Sequence, residues 1–312
     1  MTRDELERRH ADIVARHGEW TYDIPLGQGF WTRGNEGDPQ TRLRRVLQAI
    51  DDLVPTPLDA CRVLDLACLE GQYAIECALR GASVLGIEAR EASLAKANFA
   101  KDALGLSRLE FVRGDVRNLS VEKHGEFDVI ICSGILYHLD TPDVFHLIQR
   151  TYEMARRLVV FDTHVSLRPN VAVEFRGSSY HGERLPETHS TPDGAAGSSG
   201  PPSTKELWAG VGNEASFTVS RPSLLNALAA AGFPSVYECL NPVHLGRRGL
   251  EHVNRCTFAA VKGREVELLT SPAANGFREL WPEGALSYPP PGPLRHLRRL
   301  RARLRRLRDR GS

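Results

Sequence analysis

The stretch Val63-Leu-Asp-Leu-Ala-Cys-Leu-Glu-Gly71 decides the fold. It opens as an apolar strand, turns through Ala67 to Gly71 and enters a helical pattern over 71–79. A tight strand-to-helix turn aims backbone N–H groups and a helix N-terminus at a ligand. Outward from it, short apolar runs alternate with helical stretches. The predicted strands are Cys61–Leu66, Ser83–Ile87, Leu109–Arg113, Phe127–Cys132 and Leu158–Asp162, with further helices over 91–103 and 143–156. That alternation predicts parallel strands joined by right-handed crossovers, hence a three-layer α/β domain. Several strands are apolar nearly throughout, as expected where helices cover both sheet faces.

The strand ends carry acids. Glu88 closes the second strand, where a carboxylate can accept from both hydroxyls of a ribose. Asp115 closes the third and can accept from an adenine amino group, with the Val116 N–H donating to the ring. Together they describe a nucleoside laid across three strand ends, where open α/β sheets bind ligands.

On these residues the stretch from about Cys61 to Val165, joined to 217–262, resembles the class I S-adenosylmethionine-dependent methyltransferases. The resemblance implies a Rossmann-like, mostly parallel seven-stranded sheet with an antiparallel edge strand, and S-adenosylmethionine as cofactor. It places Asp65, Ala67 and Gly71 in the first motif, Glu88 on the ribose and Asp115 with Val116 on the adenine. Ser133-Gly-Ile-Leu-Tyr-His-Leu139 resembles the family's segment beside the methionine moiety and acceptor, which brings in Ser133 and Tyr137. The sequence departs from the family's Gly-x-Gly-x-Gly: Ala67 and Leu69 stand where glycines are usual, and Leu69 would need to point away from the cofactor. A nicotinamide enzyme needs G-x-G-x-x-G for close approach to a pyrophosphate, and Ala67 and Leu69 fill that space.

Three residues are candidates for proton transfer or acceptor positioning: His138, Asp162 and His164. Asp162 and His164 are two apart on a strand and so face one side, which suits a base oriented by a carboxylate. Two ligands do not make a metal site, and no metal is assigned. His138 has a structural reading beside the catalytic one.

The flanks are less regular. Residues 3–17 and 39–53 read as helices, the second amphipathic. Between them lies an aromatic cluster of Trp20, Tyr22, Phe30 and Trp31; Gly27-Gln-Gly-Phe-Trp31 reads as a lid over the cofactor or as aromatic packing onto the core, with Trp31 a substrate-binding candidate. Residues 163–219 break the alternation and read as an insertion over the acceptor pocket, with Tyr180, His181 and Trp208 as substrate-binding candidates. Its stretch 193–203 reads as a loop. Regularity resumes at Ser220, which can cap a helix that Gly232 stops. Ser235–Leu240 and Arg255–Val261 then read as an antiparallel pair at the sheet edge. The division expected is a leader over 1–58, the methyltransferase domain over 59–262 and an extension over 263–312.

Composition narrows the rest. The chain has 312 residues, 41% of them hydrophobic and 25% charged, which is globular composition. No apolar run is long enough to span a membrane and the N-terminus has no apolar signal core. The six cysteines form no C-x-x-C pair and read as buried thiols of a cytoplasmic protein. The net charge of +1 hides a division. From Pro289 onward there are nine arginines and one aspartate, a charge of +8, leaving −7 for the remainder. Over 294–308 leucines at three and four spacing face arginines, an amphipathic helix able to meet an anionic surface, an RNA or a partner helix. The function expected is methyl transfer to a small-molecule hydroxyl, of a sugar or natural product, in a chain that could form a homo-oligomer. The alternatives are a tRNA wobble-uridine modifying enzyme, whose carboxymethyltransferase type the Tyr-His-Leu segment also resembles, and a cofactor-binding partner without catalysis.

Overall fold

The computed structural model describes residues 1–34, 40–187, 203–208, 210–239 and 254–263. The loop expected over 193–203, except Ser203, and the arginine-rich helix over 294–308 lie outside the described residues, as does all of the extension but Gly263.

Two helices precede the sheet, α1 (Arg3–His17) and α2 (Thr41–Leu53). Then follow β1 (Arg62–Leu66), α3 (Gln72–Leu79), β2 (Ser83–Glu88), α4 (Glu91–Leu104), β3 (Leu109–Arg113), the short α5 (Val121–His124) and β4 (Phe127–Ser133). The alternation ends with α6 (Asp143–Met154) and β5 (Ala155–His164). Next come β6 (Val171–Phe175), β7 (Ser178–Pro186), α7 (Thr204–Trp208) and β8 (Ala215–Val219). Last are α8 (Arg221–Ala231), β9 (Ser235–Cys239) and β10 (Arg255–Val261).

Seven strands form one sheet in the order β3-β2-β1-β4-β5-β10-β9. β1 to β5 run parallel. β10 is antiparallel to both β5 and β9, so the reversed strand is the inner member of the expected edge pair. The order turns back between β1 and β4, and an open sheet leaves its ligand crevice at such a point.

Alternation along each strand sends neighbouring side chains to opposite faces. Val63, Val129, Leu158 and Val160 pack under α1 to α4, while Leu64, Ile130, Val159 and Phe161 pack against α6 and α8. Both faces are thus apolar and covered. Ser220 caps α8, its hydroxyl accepting from the Ser223 N–H, and Gly232 ends that helix in the left-handed region, as its sequence predicts.

Residues 163–219 correct the expectation of an irregular insertion. β6, β7 and β8 form a second, three-stranded antiparallel sheet. Arg176 and Gly177, with φ of 50° and 78°, make the two-residue turn between β6 and β7. Two consecutive positive φ values match the twist of a hairpin. Strand five is also longer than its apolar run at both ends, because its backbone pairing with β4 begins at Ala155 and its pairing with β10 reaches His164.

Candidate active site

The turn after β1 keeps the backbone of a glycine-rich turn with a single glycine, Gly71. Ala67, Leu69 and Gly71 have φ of 50°, 49° and 80°. Left-handed backbone costs a side-chain-bearing residue roughly 1–2 kcal/mol, so two such residues in one turn mark a shape that the fold enforces. Gly71 has a second reason to be glycine: a Cβ there would drive into the Phe111 ring.

This turn forms one wall of a cavity of about 560 Å³ at the carboxyl ends of the strands. That size lies within the ordinary range for small-molecule sites, roughly 300–1,000 Å³. Ala67, Leu69, Glu88, Asp115, Val116 and Ser133 all line it. Leu69 is thus part of the wall. Asp65 and Gly71 do not line the cavity. Asp65 is buried beneath it and accepts from the Ala74 N–H in the first turn of α3. Burial pushes its pKa up to about 8. Gly71 caps α3.

Glu88 is 4% exposed, and its two oxygens accept from the Leu69 and Arg90 backbone N–H groups. Burial raises its pKa. The Ala89 N–H faces the carboxylate as well, and about four lone-pair sites still leave it acceptor capacity for a ligand. Asp115 is more heavily engaged. Arg117 donates to both its oxygens from Nε and Nη2, at 2.6–3.0 Å, and from its backbone. The same guanidinium reaches the Val211 carbonyl.

His138, Tyr137 and His164 lie in the same cavity. His138 Nδ1 is 2.7 Å from Glu187 Oε1. Glu187 also accepts from the Gly210 N–H. Burial raises the Glu187 pKa, but its hydrogen bonds from His138 and Gly210 outweigh that and hold it below the usual range. A carboxylate on Nδ1 fixes the ring and leaves Nε2 as the basic nitrogen. Asn213 Nδ2 donates to the His138 carbonyl, so the segment 210–213 holds the histidine directly through Asn213 and its carboxylate partner through Gly210.

Asp162 and His164 have different surroundings. Asp162 is buried and outside the cavity lining. Its carboxylate accepts from Arg255 at 2.5 and 2.6 Å and from the Thr257 hydroxyl at 2.6 Å. His164 faces the cavity edge-on to Tyr137, 4.7 Å between ring centroids. Burial, then the charge of Arg255, lowers its pKa to about 4, so it is neutral at pH 7. Among the described residues, no three His, Cys, Asp or Glu side chains are grouped to hold a metal ion.

Of the substrate-binding candidates, Tyr137 and Trp208 reach the cavity, and Trp208 is 55% exposed at its rim. Trp31, Tyr180 and His181 do not. Trp31 bridges to Pro25. Tyr180 is 3% exposed and packs on Phe145. The His181 backbone joins Ser220 and Ser223 at the start of α8. The leader enters the cavity through Thr21 and Tyr22 rather than the segment 27–31. Burial pushes the Tyr22 pKa up to about 12.

What pins Thr21 and Tyr22 escaped the sequence analysis. Glu70, 1% exposed, accepts from both of their N–H groups at 2.8–2.9 Å and pairs at 3.2 Å with Lys96, which is fully buried. Lys96 also donates to the Glu19 carbonyl. Nucleotide turn, α4 and leader meet at this pair.

With the geometry in place, comparison with known proteins is decisive for the domain. Residues 63–157 match the family described as "Methyltransferase domain". The stretch that carries the turn and the strand-end acids is therefore the part that is similar to a methyltransferase domain. Around it the chain is 35% identical over 118 residues to the ubiquinone biosynthesis O-methyltransferase of Acinetobacter baumannii (strain AYE), covering 38% of this chain and 49% of that protein. The enzyme of the same description from Pseudomonas putida (strain W619) is 32% identical over 141 residues, covering 45% and 59%. The chain thus spans about half the length of the curated relatives it matches. The methyltransferase fold itself extends further. The N-terminal domain of EvdMO1, solved in the presence of SAH and D-fucose, superposes with a TM-score of 0.59 at 23% identity, covering 85% of this chain and 98% of that one.

Proposed function

We propose that the chain is an S-adenosylmethionine-dependent methyltransferase that methylates a hydroxyl of a small molecule, a sugar or natural product. The observation that carries this reading is a cavity that joins Ala67 and Leu69 of the left-handed turn to His138, whose Nδ1 is held by Glu187. Nucleoside-side acids and a carboxylate-oriented imidazole thus open on one space.

The cofactor fits the residues present. Glu88 retains acceptor capacity for ribose hydroxyls. The Asp115–Arg117 pair and Val116 flank the base end. Thr21 and Tyr22 close over the turn and Ser133 lines the floor. When bound, S-adenosylmethionine supplies a methyl group on a positively charged sulfur. The chain contributes position and a base. Glu187 accepts from His138 Nδ1–H, and Nε2 then takes the proton from the acceptor hydroxyl, a step worth typically 10²–10⁴-fold. Holding the hydroxyl in line with the methyl supplies much of the remainder. A deoxysugar is the molecule with which the EvdMO1 domain was solved, and sugars are the acceptors to test first. The leader over 1–58, domain over 59–262 and extension over 263–312 stay the proposed division. No helix among the described residues is long and apolar enough to cross a membrane.

The test is product formation. The full chain with S-adenosylmethionine is assayed by mass spectrometry against hydroxylated sugars and glycosides and against tRNA. A methylated small molecule, with kcat reduced about 10²–10⁴-fold in His138→Asn, supports the reading. Methylation of tRNA alone, or unchanged kcat in the variant, contradicts it.

A further inference from the structure

The nucleoside end of the cavity and the His138 end are joined by a short piece of backbone. Residues 210–213 follow α7, and Gly210, Val211 and Asn213 all line the cavity. The segment is tied to a different working part at each end. On the nucleoside side, Arg117 donates to Asp115 from Nε and Nη2, and Nη2 also donates to the Val211 carbonyl at 3.0 Å. A planar guanidinium seated on a carboxylate has its direction fixed, so the acid after β3 sets where Val211 lies. One residue earlier, the Gly210 N–H donates to Glu187 Oε1 at 2.7 Å, and the same oxygen lies 2.7 Å from His138 Nδ1. A movement of Gly210 therefore reaches the imidazole through one shared atom. Asn213 holds the His138 carbonyl at 2.7 Å, and the Ser216 side chain of β8 gives Glu187 a further support.

Two glycines let the backbone run this close. A Cβ on Gly210 would lie 2.8 Å from Glu187 Cγ, so a side chain there would press on the carboxylate. Gly212 has a φ of 73°, and a Cβ on it would lie 3.3 Å from Arg117 Nη2. Left-handed backbone and close approach are what glycine permits. Arg90, 2% exposed, adds a contact of 3.4 Å to the Gly210 carbonyl. Glu187 itself does not line the cavity.

We propose that residues 210–213 couple the nucleoside end of the cavity to the base, with Arg117 as the positioning residue: Arg117 holds Val211 against Asp115, Gly210 sets Glu187, and Glu187 orients His138. The inference deepens the methyltransferase reading above and rests on it for what fills the two ends. A nucleoside that hydrogen-bonds to Asp115 shares that carboxylate with Arg117, so its arrival is passed to Val211 and on to the ring. Coupling along packed contacts of this kind amounts to about 2- to 30-fold, and in binding it acts in both directions.

Ring-nitrogen NMR of the full chain with labelled histidine reads the imidazole directly, the His138 signals being assigned by their loss in His138→Asn. In the ligand-free protein, Arg117→Met should move the His138 signals and leave those of His10 and His17 in α1 in place. Saturating adenosine, a probe of the nucleoside end alone, should move the His138 signals in the wild type and not in Arg117→Met. Calorimetry gives the reciprocal reading. Glu187→Ala, altered outside the cavity lining, should weaken adenosine binding about 2- to 30-fold, and adding it to Arg117→Met should change the affinity by less than about twofold. Unmoved His138 signals in ligand-free Arg117→Met, an adenosine shift of equal size with and without Arg117, or equal adenosine affinity in wild type and Glu187→Ala overturns the coupling. If the α1 histidines also move, so that Arg117→Met has lost its fold, the wild-type adenosine shift and the Glu187→Ala titration decide. Failure of adenosine to bind the wild-type chain sinks the cofactor reading, and the ligand-free spectra still judge the route from Arg117 to His138.

Discussion

Replacing Lys96 by Met removes the cation from a pair sealed inside the protein. Glu70 would keep three hydrogen bonds from the leader, yet its charge would face no cation at 1% exposure. Removing one member of a buried ion pair typically costs about 3–5 kcal/mol. Against a total of about 5–15 kcal/mol for a domain, that is a large fraction. At about 2–4 °C per kcal/mol for a chain of this order, the midpoint of thermal unfolding should fall by roughly 6–20 °C. The loss should also depend on pH. Burial already raises the Glu70 pKa, and Lys96 opposes that rise. Without Lys96 the folded-state pKa climbs further above the unfolded value, so the variant loses stability as pH rises through it. Trp20, 2% exposed and adjacent to the pinned segment, reports leader docking by its emission. Calorimetric unfolding of wild type and Lys96→Met at pH 6 and pH 8, with fluorescence, measures all of this. A midpoint within about 2 °C of wild type at both pH values and an unshifted Trp20 emission would refute the reasoning, because the pair would then be holding nothing.

Two further outcomes follow from buried groups around the site. His164 has a folded-state pKa lowered to about 4 by burial and Arg255, against 6.5 when free. Its neutral form therefore stabilises the fold above pH 6.5, and that contribution is lost as pH falls from 6.5 toward 4; unfolding of His164→Asn should show a shallower decline over that window, and an identical decline would show that the ring is not held neutral. Gly71→Ala meets both a positive φ and the Phe111 ring, for which a loss of about 1–3 kcal/mol is expected; urea unfolding with no shift in midpoint would mean that the turn can relax.

The acids at the strand ends were legible because strand periodicity locates each strand's last residue, and an acid there has few other uses. Leu109–Arg113 matched to the residue, since its apolar run and its hydrogen-bonded ladder coincide. Glu70 and Lys96 were not legible. They are 26 positions apart, and each alone resembles an ordinary surface charge, one in a turn and one on a helix. Glu187 was missed for the same reason: only the return of the chain through Gly210 brings it to His138. The Arg255 partner of Asp162 was not legible either, because it lies 93 positions away on a neighbouring strand. The β6–β7 hairpin did leave a signal. Val-Ala-Val-Glu-Phe alternates toward Arg176-Gly177, and a glycine-containing pair between alternating runs is a hairpin cue. The positive φ at Ala67 and Leu69 had no such cue, because neither residue advertises left-handed backbone.

The central claim, that a nucleoside cofactor lies across the ends of β1, β2 and β3, is tested most directly by titrating SAH into the wild-type chain and into Glu88→Ala by isothermal calorimetry. The account predicts one site per chain in the wild type and a dissociation constant raised by more than about tenfold in the variant, a loss of about 1.4 kcal/mol or more. An absence of binding heat in the wild type, or equal dissociation constants in the two proteins, would contradict it.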